Sequence, residues 1–63
     1  MTADEIKAIR NLLGMSQSTF AMRVGVSVDT MRAYEQGVRN PSNRVILRLR
    51  EIETEALAKG ATA

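Results

Sequence analysis

The chain contains no cysteine and no histidine among its 63 residues. Disulfides and conventional zinc sites are thereby excluded as staples. The commonest general base and the strongest nucleophile of enzymes are missing as well. Tryptophan is absent, and Phe20 and Tyr34 are the only aromatics. Two core aromatics fit that number better than a platform for stacking single-stranded bases. Asp4, Glu5, Asp29, Glu35, Glu51, Glu53 and Glu55 show no metal-loop spacing, and no glycine-rich phosphate loop occurs. Catalysis, a metal and a cofactor are therefore not expected. No apolar run approaches the roughly 18 residues of a membrane span. The opening Met-Thr-Ala-Asp-Glu is acidic and has no apolar signal core. A cytoplasmic protein with no membrane partner is the expectation.

What is present suits one small domain. The apolar fraction of 44% is ordinary for a globular chain. A chain this short buries only about 60% of the surface it exposes unfolded. Without crosslinks, ordinary packing must hold it, aided by whatever partner it has. The net charge of +2 hides an uneven distribution. Residues 10–50 carry Arg10, Arg23, Arg32, Arg39, Arg44, Arg48 and Arg50 against Asp29 and Glu35, a net +5. Both ends are acidic. Arginine offers a flat fork of donors that matches phosphate and guanine. Charge alone leaves open a plainer reading, in which long arginines merely solvate helix faces.

Gly14, Gly25, Gly37, Pro41 and Gly60 divide the chain into four short helical segments and a tail. Thr2 with Glu5 three residues on forms a capping box, and Ile6, Ile9 and Leu13 follow at helical spacing, flanked by Leu12. Ser16 caps a second helix, Gln17 to about Val24, whose inward face is Phe20, Ala21 and Val24. Ser27 caps a third, from Val28 to Gln36, with Met31 and Tyr34 inward and Val26 plugging the turn. Pro41 disfavours helix at Asn40. Ser42 caps a last helix with the stripe Val45, Ile46, Leu49, Ile52, Ala56 and Leu57, predicted to end near Lys59. Met15, Met22 and Met31 are expected in the core or at its rim. No segment alternates apolar and polar residues between turn signals, so the fold class is all-α. Residues 1–59 are expected to form the domain and 60–63 a flexible tail.

The middle of this pattern has the parts of a helix-turn-helix. Ala21 is small where one helix crosses the next. Gly25, four positions on, tolerates the sharp turn. Phe20, Val24, Val26, Met31 and Tyr34 can pin both helices to a core.

The stretch LLGMSQSTFAMRVGVSVDTMRAYEQGVRNPS resembles the phage-repressor and Cro-type, or XRE-like, helix-turn-helix family. The matching features are Ser16-Gln17, Ala21, Gly25-Val26-Ser27, Met31, Glu35, Gly37 and Asn40-Pro41, and the likeness covers roughly residues 5–52. It implies a compact four- to five-helix bundle of the lambda-repressor-like type that binds operator DNA in the major groove, usually as a dimer. Carried over position by position, it makes Val28, Asp29, Arg32 and Ala33 the base-reading residues. Arg32 is the best reader, with a phosphate contact as its alternative. Val28 departs from the polar residue common at its position and can only touch a thymine methyl. Asp29 also departs; it can accept from cytosine N4, or simply stabilise its own helix N-terminus. Gln17, Gln36, Arg39, Asn40, Ser42 and Arg44 would contact phosphates. Arg10 and Glu35 resemble a buried structural ion pair.

These likenesses imply a sequence-specific, double-stranded DNA-binding transcriptional regulator, a repressor by preference. Small antitoxins of toxin–antitoxin pairs resemble this chain too, which adds a toxin or another protein as an expected partner. Ile52, Ala56 and Leu57 are candidates for pairing with a second copy through the last helix, the alternative being burial against the first helix. The competing function is a protein-interaction module on the same scaffold that reads no bases.

Overall fold

Ser and Thr hydroxyls open every helix. A computed structural model describes the backbone of residues 1–62 and the side chains of residues 1–58. Its elements are α1 (Ala3–Leu13), α2 (Gln17–Val24), α3 (Val28–Glu35) and α4 (Asn43–Thr62). Thr2 accepts from the Glu5 amide at 3.2 Å, and the Glu5 carboxylate accepts from the Thr2 amide at 3.0 Å. This capping box satisfies two amides that the helix start would leave unpaired. Those bonds to Thr2, backbone first, together with nearby Arg50, hold the Glu5 carboxyl below its ordinary pKa. Ser16 and Ser27 accept from the Thr19 and Thr30 amides at 3.2 and 3.1 Å. Ser42 accepts more loosely from the Val45 amide, at 3.4 Å.

The turn between α2 and α3 is built on one carbonyl. The Ala21 oxygen accepts from the Gly25 amide at 2.8 Å and the Val26 amide at 3.0 Å. That geometry puts Gly25 at φ 92°, a left-handed conformation in which a Cβ is strained. α2 and α3 then pack on each other, α1 packs on α3 and α4, and α2 on α4. The core comprises Ile6, Ile9, Phe20, Ala21, Val24, Met31, Tyr34, Leu49 and Ile52, with Ala56 also buried. Full burial of a side chain such as Phe20 or Leu49 contributes about 1.5–3 kcal/mol. Ala21 is buried at the helix crossing, so a larger side chain there would overpack it by about 1–3 kcal/mol.

Several expectations need correction. Met22 is not at the core; it is 82% exposed. It lies two residues past Phe20, about 200° around the helix from the inward face. Leu57 leaves the predicted stripe of α4 and is exposed, whereas Ile52 and Ala56 are buried within the monomer. Those two residues are therefore unavailable to a second copy, and burial in the monomer accounts for them. α3 stops at Glu35, one residue early, with Gln36 as its C-cap. α4 is a single helix, Asn43–Thr62, longer than the helix predicted to end near Lys59. A lone glycine costs a helix about 1 kcal/mol relative to alanine, which does not compel an end at Gly60. Ala63 lies outside the described residues.

Candidate nucleic-acid interface

An eight-residue helix has room for one buried face and one free face. On α3, Met31, Tyr34 and Glu35 are buried, and Asp29, Arg32 and, at the C-cap, Gln36 are exposed. This division follows from helical spacing. Val28 and Ala33 are half-buried, and Val28 packs against the core cluster. The four proposed base readers are thus unequal: Asp29 and Arg32 stand free, while Val28 and Ala33 offer only part of their surface.

The inner face of α3 is fixed by an ion pair. Arg10 Nε and Nη2 donate to the two carboxylate oxygens of Glu35 at 2.9 and 3.1 Å. Arg10 Nη1 donates to the Met15 carbonyl at 3.1 Å. The Glu35 side chain is only 2% exposed and that of Arg10 22%. Gln17 Nε2 also donates to Glu35 Oε1, at 3.4 Å. Gln17, proposed as a phosphate contact, is therefore half-buried and turned toward Glu35. The carboxylate receives three N–H donors from α1 and α2, which tie the end of α3 to both. No buried side-chain nitrogen or oxygen lacks a partner among the described residues.

The outer face has a second pair. Arg32 Nη1 lies 2.9 Å from Asp29 Oδ1, with the two side chains 50% and 87% exposed. Taken one residue at a time, the chain does not reveal this pair; opposite charges three residues apart on one helix are the signal that could have.

Beyond α3, the Ala33 carbonyl accepts from the Val38 and Arg39 amides at 3.0 and 3.3 Å. This fold-back delivers the loop to the end of the exposed face. Pro41 is buried and anchors the loop, a role not foreseen, while Arg39, Asn40, Ser42 and Arg44 are all exposed. Arg44 sits in the first turn of α4, where the helix dipole disfavours a cation.

The basic middle of the chain does not act as one patch. Arg23 pairs with Glu55 at 2.7 Å, Arg48 with Glu51 at 3.3 Å, and Arg50 with Glu53 at 3.1 Å and Glu5 at 3.8 Å. Arg48 also donates to the Arg23 carbonyl at 3.3 and 3.2 Å, closing the C-terminal end of α2. Arg39 and Arg44 are the arginines without an ion pair among the described residues. Both follow α3 in the chain, Arg39 in the loop and Arg44 in the first turn of α4. That places Asp29, Arg32 and Gln36 on one helix face, with two unpaired cations on the segment that follows it.

No group of three or more side chains suited to a metal ion occurs among the described residues. No helix there is long and apolar enough to cross a membrane. A family model described as helix-turn-helix matches residues 6–52. No curated protein and no solved structure matches the chain.

Proposed function

The chain belongs to the XRE-type helix-turn-helix family, and from that premise we propose that it is a sequence-specific transcriptional regulator, acting as a repressor, that reads the major groove with α3. DNA binding comes with the family, which is a DNA-binding regulatory one rather than a catalytic one. The observation that carries the finer reading is the two-sided build of α3. Its inner face is locked by the Arg10–Glu35 pair, and its outer face offers Asp29, Arg32 and Gln36. A rigid helix with free polar side chains is what direct readout of base edges requires.

In this reading Arg32 contacts a guanine, Asp29 faces the bases beside it, and Val28 and Ala33 make short apolar contacts. Gln36, Arg39, Asn40, Ser42 and Arg44 take phosphates. Gln17 joins them once its amide leaves Glu35. Residues 1–59 act as the binding domain, in the compartment that holds the DNA, the cytoplasm. A domain this small makes few phosphate contacts, so two copies on a dyad of half-sites about 34 Å apart would raise affinity. With Ile52 and Ala56 buried, Leu47 and Leu57 are the large exposed apolar residues of α4, among the described residues, left for such pairing. Regulation by a protein partner, as for the antitoxin of a toxin–antitoxin pair, is supported by the resemblance of this chain to small antitoxins.

The test is selection of bound sites from random duplex DNA. A dyad is expected. Arg32→Ala should then relax one or two positions per half-site, a loss of about 1–3 kcal/mol of discrimination. An unchanged preference at every position would remove Arg32 as a reader.

A second reading rests on the apolar surface: Met22, Leu47 and Leu57 are 82%, 66% and 56% exposed. A protein-interaction module would use them and bind no DNA. Salt separates the two. Log affinity for duplex should fall with log salt by about 0.9 per phosphate neutralised. Undetectable binding to duplex at low salt would leave the interaction reading in place.

A further inference from the structure

The Asp29–Arg32 pair is unexplained by stability. Both side chains are at least half exposed, and exposed pairs of this kind contribute little to folding. Nor is Asp29 needed to cap α3. Ser27 already accepts from the Thr30 amide at 3.1 Å, and its hydroxyl also meets that of Thr30 at 2.9 Å. The Asp29 carboxylate is turned instead to Arg32 Nη1 at 2.9 Å. A carboxylate on a face meant for a polyanion weakens binding unless it does something else there.

We propose that Asp29 is a positioning residue for Arg32, holding its guanidinium toward a base edge and away from the phosphates, and so sets the sequence specificity of the helix. This rests on the reading of α3 as the element that enters the major groove. Arginine has five N–H donors, and the bond to Asp29 uses Nη1 alone. Nη2 and Nε stay available as the two-pronged donor that guanine O6 and N7 accept. An arginine already held in place loses less rotamer freedom on contact than one swinging in solvent. The second oxygen, Asp29 Oδ2, takes part in no hydrogen bond among the described residues. It can accept from a cytosine amine beside the guanine. At a wrong sequence the held guanidinium finds no base partner, and Asp29 keeps it from the phosphates it would otherwise bind there, so binding at wrong sequences suffers most.

The experiment compares the full chain with its Asp29→Ala, Asp29→Glu and Arg32→Ala variants. Each is put through selection from random duplex and through competition between the selected site and random duplex at several salt concentrations. Asp29→Ala should lower the ratio of specific to non-specific affinity by about tenfold, the order of a single base contact. Much of that change should come from tighter binding to random duplex. The base profile should blur at the position that Arg32→Ala also blurs, and Asp29→Glu, which keeps the carboxylate within reach, should restore it in part. A role confined to the helix N-terminus predicts something else: a lower melting temperature, with both affinities reduced in proportion and the profile intact. Simple charge repulsion predicts both affinities raised equally, again with the profile intact. Either result overturns the proposal while leaving the function reading standing. A parent chain that selects no sequence overturns both.

Discussion

Two sides of this molecule use arginine in opposite ways. On the side where α4 meets α1 and α2, Arg23, Arg48 and Arg50 are each paired with a glutamate of α4, and Arg50 also lies near Glu5. Along the stretch from α3 through the loop after it to the first turn of α4, Arg39 and Arg44 have no carboxylate partner among the described residues, and Arg32 is held by a carboxylate of its own helix. Between the two sides lies Arg10, partly buried and clamped to Glu35. The same side chain thus serves as internal strut, surface tie and free contact. The lesson is that a count of basic residues overstates a binding surface. Of the seven arginines between residues 10 and 50, the two free of ion pairs and the one pointed outward from α3 are those a phosphate or base can readily claim.

That contrast can be broken or sharpened by substitution. The largest effect should come from the strut. Glu35→Ala leaves Arg10 without its partner in a largely buried position and should destabilise the fold by about 3–5 kcal/mol. Urea denaturation measures this, and a variant with native stability but impaired DNA affinity would mean that the pair belongs to the binding face after all. Gly25→Ala tests the turn that sets the two faces. No atom lies within 4 Å of the added Cβ, so the cost is torsional alone. A loss of about 1–2 kcal/mol is expected from the left-handed φ. A thermal midpoint equal to that of the parent would show that the backbone can relax there.

Next comes the free side. Replacing Arg39 and Arg44 together by alanine should change stability by no more than about 0.5 kcal/mol. It should reduce the slope of log affinity against log salt by about 1 for each phosphate no longer neutralised, at every sequence alike. A slope that does not move would show that neither residue touches phosphate. The smallest effect belongs to the surface ties. Arg23→Gln removes the exposed pair with Glu55 and should cost about 0–1 kcal/mol. Its DNA affinity and salt slope should match the parent; a clear drop in slope would make the α4 side a second contact surface and erase the contrast.

Much of the scaffold was legible in the chain because its signals are local. The hydroxyls of Thr2, Ser16, Ser27 and Ser42 act on amides three residues away, and the turn at Gly25 depends on a backbone angle that glycine tolerates. Helical spacing also separated Met31 from Arg32. The site was less legible where partners are distant. Arg23 and Glu55 are 32 residues apart, and Arg10 and Glu35 are 25 apart. Resemblance to a family pointed to the second pair, whereas nothing in local pattern pointed to the first. Met22 and Leu57 show the other failure. Each lies next to an inward residue, and apolarity alone does not say which of two neighbours faces in.

The chain by itself determined that it would be all helix, where each helix begins, and that α3 would have one apolar and one polar face. These depend on bonds and torsions between residues a few places apart. Only the packed structure decided which arginines are already engaged, that Gln17 turns to Glu35, and that Ile52 and Ala56 are covered within the monomer. Those outcomes depend on which helix sides meet. A charge or an apolar side chain acts through its neighbours in space, which the order of residues does not specify until the helices are docked.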